Sequence, residues 1–184
     1  MSAELQRLVR TEQWIAWVRV GAVPFAVFQV AFGHHPSGYE AAAWAVTGVL
    51  AVGAATLFRL ARSEVGQAGR RRLGVGALAF DTAVVSAFVL IYHFEPDTPI
   101  RQLLLLPLVE AAVRYGIRGA LVIVVATTPV AAGFEFLRSD RLDEGYQVDY
   151  VTFQLGLGVL LGLIVGRLVE TLRSETALVT RAYE

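Results

Sequence analysis

The chain has no lysine and no cysteine, because all 16 of its basic side chains are arginine. Without lysine there is no Walker-type phosphate loop, no pyridoxal or retinal Schiff base and no lysine-rich nucleic-acid patch. Without cysteine there is no disulfide framework, thiolate nucleophile, cysteine-ligated zinc or S-acylation anchor. Charge is scarce as well: charged residues make up 17% of the chain, against about 25% in an average soluble domain. The 16 bases are balanced by 16 acids, and zero net charge argues against nucleic acid as a partner. Apolar residues are abundant instead, at 55% of 184 residues with a mean hydropathy of +0.56, and they are gathered in long runs.

A helix needs roughly 20 mostly apolar residues to cross about 30 Å of hydrocarbon. The runs predict an all-α, polytopic membrane helix bundle of six transmembrane helices, at about residues 14–32, 41–60, 73–92, 101–115, 119–137 and 150–168. On this reading residues 1–168 form the transmembrane domain and 169–184 begin a cytoplasmic signalling-type linker helix. The fourth run is the shortest; its about 15 residues cover roughly 23 Å. It spans with Arg101 and Arg114 snorkelling, or it lies partly inside the bundle. Six crossings put twelve arginines on the side of both termini and three, Arg101, Arg138 and Arg141, on the other, with Arg19 inside the first run. Cytoplasmic loops carry the excess of arginine, so the chain is expected in the cytoplasmic membrane with both termini inside. The first run is too long for a cleaved signal peptide and carries Arg19.

Ionisable residues inside a span are costly unless paired or hydrated. Asp81 and Glu110 fall near mid-depth of the third and fourth runs, Arg114 follows Glu110 by one helical turn, and Arg19 lies within the first. These four make a candidate intramembrane cluster, either ion pairs locking helices together or a polar cavity that takes a signal or ligand. Glu135, Gln29 and Gln154 lie nearer the outer ends and are expected to snorkel. Pro24, Pro107 and Pro129 fall within runs and predict kinks, the one at Pro107 sharing a turn with Glu110.

Gly158, Gly162 and Gly166 form a stripe at i, i+4, i+8, a groove for close approach of another helix within the bundle or in a second protomer. Beyond it, Val165, Leu168, Leu172 and Val179 continue an apolar seam flanked by Arg167, Glu170, Arg173 and Glu175, as in a dimeric coiled coil. This helix reaches Glu184 in mid-pattern, which points to a longer protein. His34, His35 and His93 share the exterior loops; they are weak metal candidates, and no metal or other cofactor is expected. No enzyme motif is present, so an active site within the chain is not expected.

The run FDTAVVSAFVLIYHFEPDTPIRQLLLLPLVEAAVRYGIRGAL at 80–121, with FEFLRSDRL at 134–142 and VDYVTFQLGLGVLLGLIVGRLVETLR at 148–173, resembles the N-terminal membrane region of actinobacterial sensor proteins. In those a multi-span bundle precedes a cytoplasmic histidine kinase or diguanylate cyclase. The resemblance implies a sensory input role in signal transduction of the two-component kind, with the bilayer, a second copy through the sixth helix and a cytoplasmic effector as partners. The alternatives are a six-span substrate-binding component of a vitamin or metal uptake transporter, and an envelope scaffold.

Overall fold

The computed structural model describes the backbone of residues 3–63, 66–95 and 99–182, and the side chains of 9–63, 66–95 and 99–175. Among these residues there is no strand. Five helices are long and apolar enough to cross a membrane: α1 (Ala3–Phe32), α2 (Tyr39–Arg62), α3 (Gln67–Ile91), α4 (Leu105–Leu142) and α5 (Val148–Ala182). Short 3-10 helices at Tyr92–Phe94 and Pro99–Leu104 complete the order. The chain divides into two compact units, Met1–Phe94 and Glu95–Glu184.

The first unit is a three-helix assembly in which α2 packs on both α1 and α3, and these two also touch. Its helices alternate in direction: Trp17 of α1 meets Phe58 of α2 at a ring separation of 5.1 Å, while His35, just past α1, meets Tyr92 at the end of α3. Small residues permit the approach, with Ala16, Ala43, Ala54, Ala61 and Ala77 all buried. Phe80 lies directly on Gly53, leaving no space for a Cβ there. The α2–α3 turn is closed by buried Arg70, which donates from Nη1 to the Ala61 carbonyl at 3.0 Å and from Nη2 to that of Ser63 at 2.8 Å. A cation on the last carbonyls of α2 also complements the negative end of its dipole.

The second unit differs from the reading of its sequence in one informative way. Apart from residues 101–104, which belong to the 3-10 segment, the runs at 101–115 and 119–137 lie in one helix, α4, that is broken at Gly116, where φ is 67° and ψ −155°. Arg101 and Glu135, which a straight helix would separate by about 51 Å, stand 4.0 Å apart. The two arms of α4 therefore run antiparallel, as a helical hairpin whose turn is Gly116. Only glycine reaches this backbone conformation without strain. Pro107 falls in the first turn of α4, where the 3-10 segment passes into α-helix. The reversal is made by glycine rather than by this proline.

Helix α5 lies along the hairpin. A Cβ on Gly158 would touch Leu108 of the first arm and Val124 of the second, at 3.5 and 3.4 Å. On Gly162 it would reach Ala120 at 3.0 Å, and on Gly166 the backbone nitrogen of Ile117 at 2.7 Å. The glycine stripe thus faces both arms, and the approach tightens towards the turn. The opposite face of α5 is apolar and exposed, with Phe153, Leu160, Ile164, Leu168 and Leu172.

Candidate functional site

The acids and bases of the candidate cluster, all within the long apolar helices, are brought together two by two. In the first unit α1 carries Arg19 and α3 carries Asp81, and Asp81 Oδ2 accepts from both Arg19 Nε and Nη2 at 2.6 Å. Arg19 is 5% exposed, so this charge-assisted contact ties the first and third helices where water does not compete. In the second unit Glu110 Oε1 accepts from Arg114 Nε at 2.9 Å, one turn along the same arm.

A further ionic cluster among the described residues of the second unit gathers around Glu135. Glu135, expected to snorkel, is 1% exposed. Its carboxylate is held by Arg138 in a two-pronged pair, Nη2 to Oε1 at 2.7 Å and Nε to Oε2 at 2.9 Å, and Oε1 also accepts from the Gln147 backbone N–H at 3.0 Å. Arg138 Nη1 reaches Glu144 at 2.6 Å. The Arg101 guanidinium lies over the rings of Phe134 and Tyr150, 5.2 and 4.7 Å from their centres, while the Gln154 amide donates to the Arg101 carbonyl at 3.3 Å. The 3-10 segment before α4, the second arm of α4, the 143–147 loop and the start of α5 are fastened here. Glu135 and Arg138, spaced i, i+3, are the signal in the sequence that points to it.

At the other end of the hairpin α5 supplies the turn with its missing partners. The break at Gly116 leaves the last carbonyls of the first arm and the first N–H of the second arm without helical partners. Arg173 Nη2 donates to the carbonyls of Val113 and Arg114, at 2.7 and 3.1 Å. Glu170 Oε1 accepts from the Ile117 N–H at 3.2 Å. The signs match the helix dipoles, a cation at the C-terminal end of one arm and an anion at the N-terminal end of the other. Two charges expected to flank a coiled-coil seam are thus engaged in capping.

Of the seam residues, Leu168 and Leu172 are exposed and Val165 is half-buried, and the side chain of Val179 lies outside those described. His34 is exposed. His35 places Nδ1 on the Gly33 carbonyl at 3.0 Å and Nε2 on the Tyr92 hydroxyl at 2.8 Å. His93 does the same with the Leu90 carbonyl at 2.8 Å and the Tyr39 hydroxyl at 3.4 Å. A carbonyl only accepts, so each ring donates from Nδ1 and turns its Nε2 to a tyrosine hydroxyl. These pairs close the end of the first unit where α1 and α3 finish. Among the described residues no three His, Cys, Asp or Glu side chains are grouped so as to hold a metal ion. Comparison with protein-family models, with curated proteins and with solved structures finds no match.

Proposed function

We propose that the chain is a membrane-embedded input module that crosses the bilayer six times, each arm of α4 making one crossing, with both termini in the cytoplasm. Its output element is α5, which passes the state of the bundle to a cytoplasmic effector in a dimeric parent protein of the sensor kinase or diguanylate cyclase kind. The reading rests on the double cap made by Glu170 and Arg173 on the α4 turn. Because one helix satisfies the broken backbone of another, a shift of α5 along its axis and a loosening of the turn are a single event. Two arrangements of such an element, populated differently with and without a stimulus, are what transmission requires. At 35 residues, α5 extends about 52 Å, enough to cross the hydrocarbon and project about 20 Å beyond it. The arginine asymmetry and the sequence resemblance to sensor membrane regions support the same reading.

The test is made in the full-length protein. Glu170→Gln and Arg173→Gln, singly and together, are expected to shift basal effector output and blunt its response. Wild-type output and response in the double variant, or a reading frame without an effector, overturns the proposal. Topology is read separately in the naturally cysteine-free chain. Single cysteines at Ser37 and Gly145 should react with an impermeant maleimide from outside, and those at Ser63 and Ser174 only after permeabilisation. Reaction of Ser174→Cys from outside would rule out six crossings.

A further inference from the structure

A cavity of about 150 Å³ opens between α1 and α2 of the first unit, lined by Gln13, Ala16, Trp17, Phe58, Ala61 and Arg62. A single water needs only ~10–15 Å³ by the same measure, so the space admits a polar group of several atoms. Its construction is specific. The buried Ala16 and Ala61 line it, as does the edge-to-face pair of Trp17 and Phe58. The Arg62 guanidinium lies over the Phe58 ring, 4.0 Å from its centre, and 5.9 Å from that of Trp17. Among the described residues no protein acceptor takes a hydrogen bond from Arg62, from the Trp17 indole or from the Gln13 amide. Three donors therefore line one open cavity without acceptors.

The surroundings are basic. Arg59 and Arg62 occupy the last turn of α2, and Arg71 and Arg72 are exposed in the first turns of α3. The acid next to Gln13 in sequence, Glu12, is buried and does not line the cavity. The C-terminal end of a helix ordinarily repels anions, but Arg70 already occupies the terminal carbonyls of α2. The depth fits a headgroup. Counted from Phe32 at the far end of α1, Trp17 lies about 23 Å and Gln13 about 29 Å along the axis. Those distances place the amide at the opposite hydrocarbon boundary and the Trp17 backbone about 6 Å inside it, within reach of the boundary for an indole side chain.

We infer that this cavity is a binding site for an anionic phospholipid of the arginine-rich leaflet, its phosphate taken by Arg62, the Trp17 indole N–H and Gln13, its acyl chains lying on the apolar outer surfaces of α1 and α2. Charge complementarity selects an acidic lipid over a zwitterionic one, since both bring a phosphate but only the first lacks a compensating ammonium. The site stands independently of any signalling role.

Trp14→Phe with Trp44→Phe leaves Trp17 as the sole indole of the full chain, and its fluorescence reports occupancy in nanodiscs. Phosphatidylglycerol brominated high on its acyl chains should quench Trp17 about fivefold more effectively than brominated phosphatidylcholine at equal mole fraction, the worth of one arginine near an anionic surface. In Arg62→Gln the preference should vanish while helicity is retained. Gln13→Leu, at an exposed position, should weaken it without risk to the fold. Equal quenching by the two lipids, or an undiminished preference in both variants, overturns the proposal. So does displacement by millimolar glycerol phosphate, which would mark a site for a soluble phosphate instead.

Discussion

At Gly116 one residue carries two requirements. Its φ of 67° with ψ near −155° belongs to glycine alone, and a Cβ there would lie 2.5 Å from Glu170 Oε1. Gly116→Ala is therefore expected to destabilise the second unit by about 1–3 kcal/mol from backbone strain, and to dislodge the Glu170 cap as well. A lowered thermal midpoint in detergent, with helicity unchanged at low temperature, is the expected result. Asp81 makes a different case, because its partner Arg19 is buried. Asp81→Asn removes the carboxylate and leaves the guanidinium in place, a change on the order of 3 kcal/mol where a buried pair is broken from one side. Replacing both residues with apolar ones, as in Arg19→Met with Asp81→Leu, should restore much of that loss. Stability no better in the double variant than in Asp81→Asn would show that the guanidinium has other uses.

At the scale of the element, α5 offers a comparison on one helix. A Cβ on Gly166 would meet Ile117 backbone atoms at 2.7 and 2.8 Å, whereas one on Gly156 meets nothing within 4 Å. Gly166→Ala should force α5 away from the turn and weaken the unit by about 1–3 kcal/mol, as overpacking does. Gly156→Ala should be neutral or stabilising, by up to about 1 kcal/mol of helix propensity. Parallel unfolding titrations of the two variants decide it, and equal midpoints would mean that α5 does not sit as closely as described. Helix α4 shows where reading a sequence stops. Its two apolar runs are plain from hydropathy, and Glu110 with Arg114 is plain from spacing. The sharpness of the reversal was not, because the gap at 116–118 between two apolar runs does not say which single residue turns the chain until its dihedral angles are known. The proline expected to bend this region lies in its first turn, where a missing N–H matters least.

For the whole molecule, a helical fold of long apolar runs was legible because the bilayer demands runs of that length. The sequence reads as six such runs, and the described residues hold five long apolar helices, with the fourth and fifth runs joined through Gly116. The partners of the buried charges were less legible. Hydropathy reports the penalty of an ion but not who shares it, so Glu135 read as a snorkelling acid although Arg101, Arg138 and the Gln147 amide surround it. Removing it tests that cluster at the level of the fold. Glu135→Gln leaves Arg138 with Glu144 alone, and the 143–147 loop should exchange its amide hydrogens faster while those of α1 to α3 are unchanged. Faster exchange spread across the first unit as well would mean that the two units do not unfold separately.

The capped turn also has a meaning for biogenesis. Ile117 and the carboxylate that satisfies it are 53 residues apart, so the hairpin leaves the ribosome well before its cap does. Until α5 has been synthesised, the broken backbone at Gly116 has only its surroundings as partners and lacks the Glu170 and Arg173 caps. The second unit can therefore complete its structure only after its last helix has been made, and a nascent chain arrested short of Glu170 should hold an unfinished hairpin, read as raised protease sensitivity at the turn.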